Sequence, residues 1–371
     1  MTPRRPFHAA LAASLLALAG CATAPHDLSG SRSIEHPLPT AGEAARVAEA
    51  FVTAPRPELE IDSVAAWIAP DGAPWLIATA KETHQLAVYD GDTGAFVRTV
   101  GARGTAPGQF DRPNGIAVYA DRVFVVERDN HRVQVLSLPD FAPLAMIGAD
   151  DLRSPYGLWL HETAPGRLEL FVTDSFMADF RTETVPPLAE LDQRVKRYRV
   201  SLDTPVPTAA LLGHFGDTTD AGALRMVESI AGDPPQDRLL IAEEDIRVGT
   251  TLRVYRMDGT YTGQDLPPRH FRAQAEGVAL WHCPDDSGYW ITADQSSDRT
   301  VFHLFDRRTL DFVGSFAGNQ VALTDGIWLH ASGTPRFPAG VLYAAHDDAG
   351  VGAFDWREIA RALGLREDCG D

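Results

Sequence analysis

The 371 residues are poor in the groups on which redox, zinc and nucleotide chemistry depend. There are three cysteines, and none forms the CxxC pair of a metal or thiol-redox site. The 12 histidines show no HxH or HExxH spacing, which argues against zinc. No GxSxG elbow, Walker loop or GxGxxG fingerprint occurs. Basic side chains are scarce, 33 Lys and Arg against 51 Asp and Glu, for a net charge of −18. That balance leaves no basic face for nucleic acid or an anionic membrane. It would also repel a polyphosphate, unless bound cations reverse the local field.

What is present is a repeat. Its cleanest copy, Asn114–Leu136, reads as three short strands: Ile116–Tyr119, Arg122–Glu127 and Arg132–Leu136. β-Branched runs bounded by Asp, Asn and Gly are strand–turn–strand signals. A unit this small cannot bury both faces and must stack on copies of itself. Its opening motif, a polar or aromatic residue followed by a small one and an apolar strand, recurs at Tyr156-Gly157-Leu158, Glu228-Ser229-Ile230, Glu276-Gly277-Val278 and Asp325-Gly326-Ile327. Asp62-Ser63-Val64 is a degenerate sixth copy. Six such units predict an all-β chain folded as a six-bladed β-propeller, with 31 Gly and 26 Pro to supply its turns.

The ends lie outside the repeat. Arg4 and Arg5 precede an apolar run from Ala9 to Ala19 that closes in Leu18-Ala19-Gly20-Cys21. This is the pattern of an export signal. The tetrad resembles a bacterial lipobox, which implies removal of residues 1–20 and lipidation of Cys21. The expected product is an exported lipoprotein in the outer membrane facing the periplasm, or on the cell surface, meeting the membrane only through its anchor. Residues 21–39 read as a tether and 40–366 as the propeller domain, ending in a tail at 367–371. Thr40–Val52 has the pattern of a short helix, with Thr40 and Glu43 at capping-box spacing. A segment around Val52–Ile61 is expected to close the ring, because the last unit lacks an outer strand. Asp355–Leu365 predicts a C-terminal amphipathic helix. Cys283 and Cys369 are compatible with a disulfide, which two positions alone cannot establish.

Aligned on their opening strands, the units place Asp62, Asn114, Tyr156, Glu228, Glu276 and Asp325 at one height. First strands line a propeller's channel, so these groups should meet at one mouth. Like charges so close must protonate or be neutralised by hard cations, and calcium suits a loose set of oxygens. The ends of the second strands add Lys81, Arg128, Asp174, Glu243-Glu244-Asp245, Asp294 and His346-Asp347-Asp348. Each has a bland alternative: Asp before Gly forms turns, Lys81 can be a solvated side chain, and Arg128 can pair with Glu127 or Asp129.

GQFDRPNGIAV with the strands after it resembles an NHL-type repeat, a fold signal that names no partner. The run LLIAEED (239–245), with EGVALW (276–281), DGIWL (325–329) and FDWREIARALGL (354–365), resembles the β-propeller phytases. The resemblance runs from Asp62 to Leu365. It implies calcium-dependent hydrolysis of phytate or a related phosphate ester at the channel mouth. It also implies metal positions at Asp62, Glu228, Glu243, Glu244, Glu276, Asp325 and Asp347. Lys81, Arg128, Tyr156 and Glu228 would then handle the phosphate. Ser63 and Val64 depart from the family's opening motif, and Asp174 or Ser175 replaces its blade-three lysine. The alternatives are a non-catalytic NHL-like propeller binding a ligand or envelope protein, and a lactonase-like propeller with one calcium. A monomer acting on a small molecule is expected.

Overall fold

The computed structural model describes residues 44–369. Six β-sheets stand side by side as blades, and in the first five of them four consecutive strands follow the chain from the inside outward. Blade one spans Ile61–Val100, blade two Pro113–Ile147, blade three Pro155–Phe215, blade four Val227–Asp265 and blade five Gln274–Ala317. Blade six takes only three strands from its own stretch, Ile327–His330, Val341–His346 and Gly350–Asp355. Its outer strand is Phe51–Val52, paired antiparallel with Gly352 and Ala353. The ring is thus closed by the two ends of the described chain. An open edge with unpaired backbone groups is avoided.

The expected helix over Thr40–Val52 is not found in its described part; residues before 44 lie outside the described range. Ala45–Arg46 instead adds a short parallel strand to blade five, and Phe51–Val52 completes blade six. Between them Val47 is buried, and Glu49 accepts hydrogen bonds from the N–H groups of Asn319, Gln320 and Val321. Tertiary pairing outweighs a local helical pattern here. The C-terminal helix does form, over Trp356–Leu363, with Asp355 as N-cap and Gly364 closing it in the left-handed region. Trp356, Ile359 and Ala360 are buried against blades five and six. Cys283 and Cys369 form a disulfide that fixes the tail after this helix to blade five. No described helix is long and apolar enough to cross a membrane. The signal segment, the tether and Cys21 lie outside the described residues.

Hydrophobic clusters fill the spaces between neighbouring blades. One joins blades one and two through Ile77, Val88, Ile116 and Val125; another joins blades two and three through Val126, Val135, Leu170 and Tyr198. This packing holds the first strands around the axis at a fixed height.

Candidate functional site

In blades one to five the first strand carries the same defect. Two residues face one on the second strand: Asp62-Ser63 in blade one, Asn114-Gly115, Tyr156-Gly157, Glu228-Ser229 and Glu276-Gly277 in the others. Such a bulge bends the strand and re-aims the side chain at it. The small second residue is needed because the next blade comes very close. A Cβ on Gly157 would stand 2.3 Å from the Glu228 carbonyl oxygen, and one on Gly326 would stand 2.7 Å from the Ser63 Cα. Gly277 and Gly326 donate their N–H to Asp325 and Asp62 of the adjoining blade. The motif that defines the repeat is therefore also what brings the six polar residues together.

Two of them, Glu228 and Glu276, form the densest group together with Glu244, which follows the second strand of blade four. One carboxylate oxygen from each of Glu228, Glu244 and Glu276 lies within 4.8 Å of the other two. Glu244 Oε1 and Glu276 Oε2 are buried and have no hydrogen-bond partner. Burial, then repulsion from Glu228 and from Glu276, pushes the Glu244 carboxyl well above its usual range. Burial and then the charges of Glu228 and Asp325 do the same to Glu276. Glu228 is raised by burial and by Asp62 and Asp325, against a hydrogen bond with Tyr156. The Tyr156 hydroxyl is itself raised by burial and Glu228, which keeps it protonated.

Opposite this group stands a fixed cation. Lys81 Nζ lies 3.1 Å from Asp62, 3.4 Å from Asp325, 3.5 Å from Glu60 and 4.0 Å from Asp348. Burial works against the charged ammonium, but Asp62 and Asp325 outweigh it and hold the lysine charged. Burial raises Asp325 to about 7, although Lys81 opposes the rise. Gln295 donates to Asp325, and Asn114 donates to Asp62. Asn114 Oδ1 is buried without a partner.

Strand register separates the remaining candidates into two sets. Ala80, Glu127, Asp174, Glu243 and Asp294 occupy equivalent positions, facing the residue before each bulge. The carboxylates among them face backbone. Glu243 accepts from the N–H groups of Arg225, Met226 and Asp245; Asp174 accepts from Arg153 and Ser154; Asp294 accepts from Arg272 and Ala273. Glu127 accepts from the Asp111 N–H and from Arg132 and Gln134. Glu243 therefore holds a loop and stands outside the group of Glu228, Glu244 and Glu276. The residues one step on are Lys81, Arg128, Ser175, Glu244 and Gln295, and Lys81, Glu244 and Gln295 reach the centre.

Two other expectations change. Arg128 lies back on Asp129 at 2.7 Å. Arg112 takes its place near the centre, bound to Glu60 at 3.1 Å, with burial opposing its charge and Tyr156, Glu60 and Asp62 reinforcing it. Asp347 is exposed in a left-handed turn, and it is Asp348 that approaches Lys81. Below the ring the channel widens into a cavity of about 410 Å³, lined by residues such as Val64, Ile116, Leu158, Ile230, Val278 and Ile327. None of the ring carboxylates lines it.

The fold and mouth define a six-bladed β-propeller with an acidic site on its axis. Within it, residues 110–136 match the NHL repeat family, which is blade two. A search of curated proteins finds no match. Among solved structures the chain is similar to a calcium-binding protein, regucalcin, from Agrobacterium tumefaciens, with 11% identity and a TM-score of 0.51. That alignment covers 84% of this chain and 95% of regucalcin. It is also similar to hydrazine synthase of Kuenenia stuttgartiensis, at 12% identity and TM-score 0.44, over 86% of this chain and 85% of the other. At such identities the likeness is one of fold.

Proposed function

We propose that the channel mouth binds calcium on Glu228, Glu244 and Glu276 and that the chain hydrolyses a phosphate monoester of the phytate class there. The observation that carries this reading is the glutamate trio, in which one buried oxygen each of Glu244 and Glu276 is reached by no N–H or hydroxyl donor. Buried carboxylate oxygens without partners are costly, and a hard cation removes that cost. Oxygens that all lie within 4.8 Å of one another can share one ion, because two calcium–oxygen bonds of about 2.4 Å laid end to end span about 4.8 Å. The loose, all-oxygen set suits calcium better than magnesium, which demands a tight octahedron.

A bound divalent ion supplies charge neutralisation and lowers the pKa of a water. The chain's own residues orient the ester. Lys81 offers a charged ammonium on the Asp62 and Asp325 side of the ring, Tyr156 offers a protonated hydroxyl on Glu228, and Arg112 adds positive charge on the blade-two side. No protein nucleophile is required. The sequence resemblance to β-propeller phytases supports the choice of ester. The test is phosphate release from phytate and from p-nitrophenyl phosphate, with chelator and with calcium restored. Release that persists in chelator would refute the reading.

A second reading has its own support. Arg128 is tied to Asp129, and Ser175 stands where blade one has Lys81, so the mouth is short of cations. Calcium binding without turnover would select a non-catalytic propeller that binds a ligand. We also propose export as a lipoprotein, which the Cys283–Cys369 disulfide supports because disulfides persist in oxidising compartments. Mass spectrometry of the mature N-terminus tests it: an unmodified Cys21 would exclude the anchor.

A further inference from the structure

Three residues after each polar ring residue, four blades carry alanine, at Ala65, Ala117, Ala231 and Ala279, and two carry tryptophan, at Trp159 and Trp328. Pairing with the second strands places all six at one height, away from the acidic mouth. Each first strand touches that of the next blade, and the sixth touches the first, so blade three stands opposite blade six. Two indoles therefore occupy opposite sides of the channel, with only methyl groups on the four blades between them.

Both tryptophans line the cavity of about 410 Å³ and are half-buried. They lie on innermost strands, so the surface they keep uncovered opens onto the channel. Each is held by its neighbours. Trp159 lies against blade four, where a Cβ on Gly232 would stand 2.3 Å from the indole, and the His161 ring stacks on it at 4.9 Å. Trp328 rests on apolar residues of blades six and one. The charged residues of the lining, Asp233 and Arg307, bond each other at 2.6 Å and 2.8 Å. Burial lowers the pKa of His161, which also lines the cavity, and keeps it neutral.

We propose that the channel below the ring binds a neutral, flat aromatic molecule between the indoles of Trp159 and Trp328. The volume is that of a small-molecule site, and its apolar walls carry few polar groups. Two indole faces favour an aromatic ring over an aliphatic chain, because stacked rings gain beyond the area they bury. A charged ligand would shed its water without finding a free counter-charge. Indoles already fixed by packing lose little freedom when the ligand enters. This site is separate from the acidic mouth and requires neither calcium nor phosphate-ester chemistry. The small ring residues Ser63, Gly115, Gly157, Ser229, Gly277 and Gly326 bound the cavity on the mouth side.

The test is fluorescence titration with Prodan, a neutral, flat naphthalene dye whose emission shifts to the blue in apolar surroundings. Wild type should bind one dye per chain with a blue shift. Trp159→Leu and Trp328→Leu should each weaken binding roughly tenfold, the size of a lost stacking face, and Trp159→Phe by less. Trp75→Leu, a control on the second strand of blade one, should leave it unchanged. The affinity should be the same in EDTA and in calcium. Wild type that does not bind the dye overturns the proposal, as do leucine variants that bind it like wild type. An affinity that changes severalfold with calcium also overturns it, because the dye would then sit at the mouth. A crystal of wild type soaked in bromonaphthol locates the ligand without any variant. A bromine anomalous peak between the two indoles supports the site, and no peak, or a peak elsewhere, overturns it.

Discussion

Replacing Glu276 by glutamine should stabilise the protein in chelator and abolish its stabilisation by calcium. Glutamine keeps the shape of the side chain and removes one charge from a trio whose oxygens lie within 4.8 Å of one another. At an effective dielectric of about 20, two unit charges no farther apart than this repel by at least about 3.5 kcal/mol. Protonation already relieves most of this, because burial and neighbouring charges hold all three carboxyls well above their usual range. The remaining gain should be about 1 kcal/mol, or roughly 2 °C in Tm for a chain of this size. Calcium at about a thousand times its Kd would stabilise wild type by about 4 kcal/mol, and the variant should lose nearly all of that shift. Scanning calorimetry of both proteins, in EDTA and in calcium, measures the four values. A variant less stable than wild type in EDTA that keeps the full calcium shift would refute the reasoning, because the trio would then be a structural hydrogen-bonded cluster.

The other predictions concern the frame around the trio. Glu243→Ala should cost about 2–4 kcal/mol, because three backbone N–H groups lose their acceptor; calcium stoichiometry by calorimetry should stay the same, whereas Glu244→Ala should reduce it. Gly157→Ala drives a methyl to 2.3 Å from a backbone oxygen of blade four; a cost of about 1–3 kcal/mol or more is expected, with weaker calcium binding because Glu228 moves, and an unchanged Tm would contradict it. For pH, Asp325 lies near 7 in the fold, above its unfolded value, so the native state holds more protons between about 4 and 7. Calcium-free protein should therefore lose stability as pH rises through that window, while calcium affinity rises. Chemical denaturation in EDTA at pH 5 and pH 8 checks the sign, and greater stability at pH 8 would contradict it.

The inner ring was legible in the sequence because one motif served two purposes. The small residue marks where a neighbouring blade touches, and the polar residue before it is the one the bulge turns inward. Tyr156, Glu228 and Glu276 could thus be placed at one height without coordinates. The next layer was not, since it turns on a single step of register. Glu243 and Glu244 are adjacent and chemically alike, yet one clasps backbone amides and the other enters the trio. The pairing of Val227 with Glu243 decides between them. Arg112 was also hidden. It lies in a loop, and no periodicity distinguishes an arginine aimed at the axis from one on the rim. The outer strands, such as Phe96–Val100 and Tyr261–Asp265, are not legible in the sequence for a related reason. They are largely exposed and carry little apolar alternation. The segment before blade one has a helical pattern that a closing contact between distant parts of the chain overrules.

Everything about the mouth depends on whether those three glutamates share an ion. Crystals grown with calcium, with anomalous differences collected at long wavelength, answer this directly. The account predicts a peak about 2.3–2.6 Å from one oxygen each of Glu228, Glu244 and Glu276. An anomalous map with no peak among them, at a calcium concentration that protects the protein from heat, would contradict it.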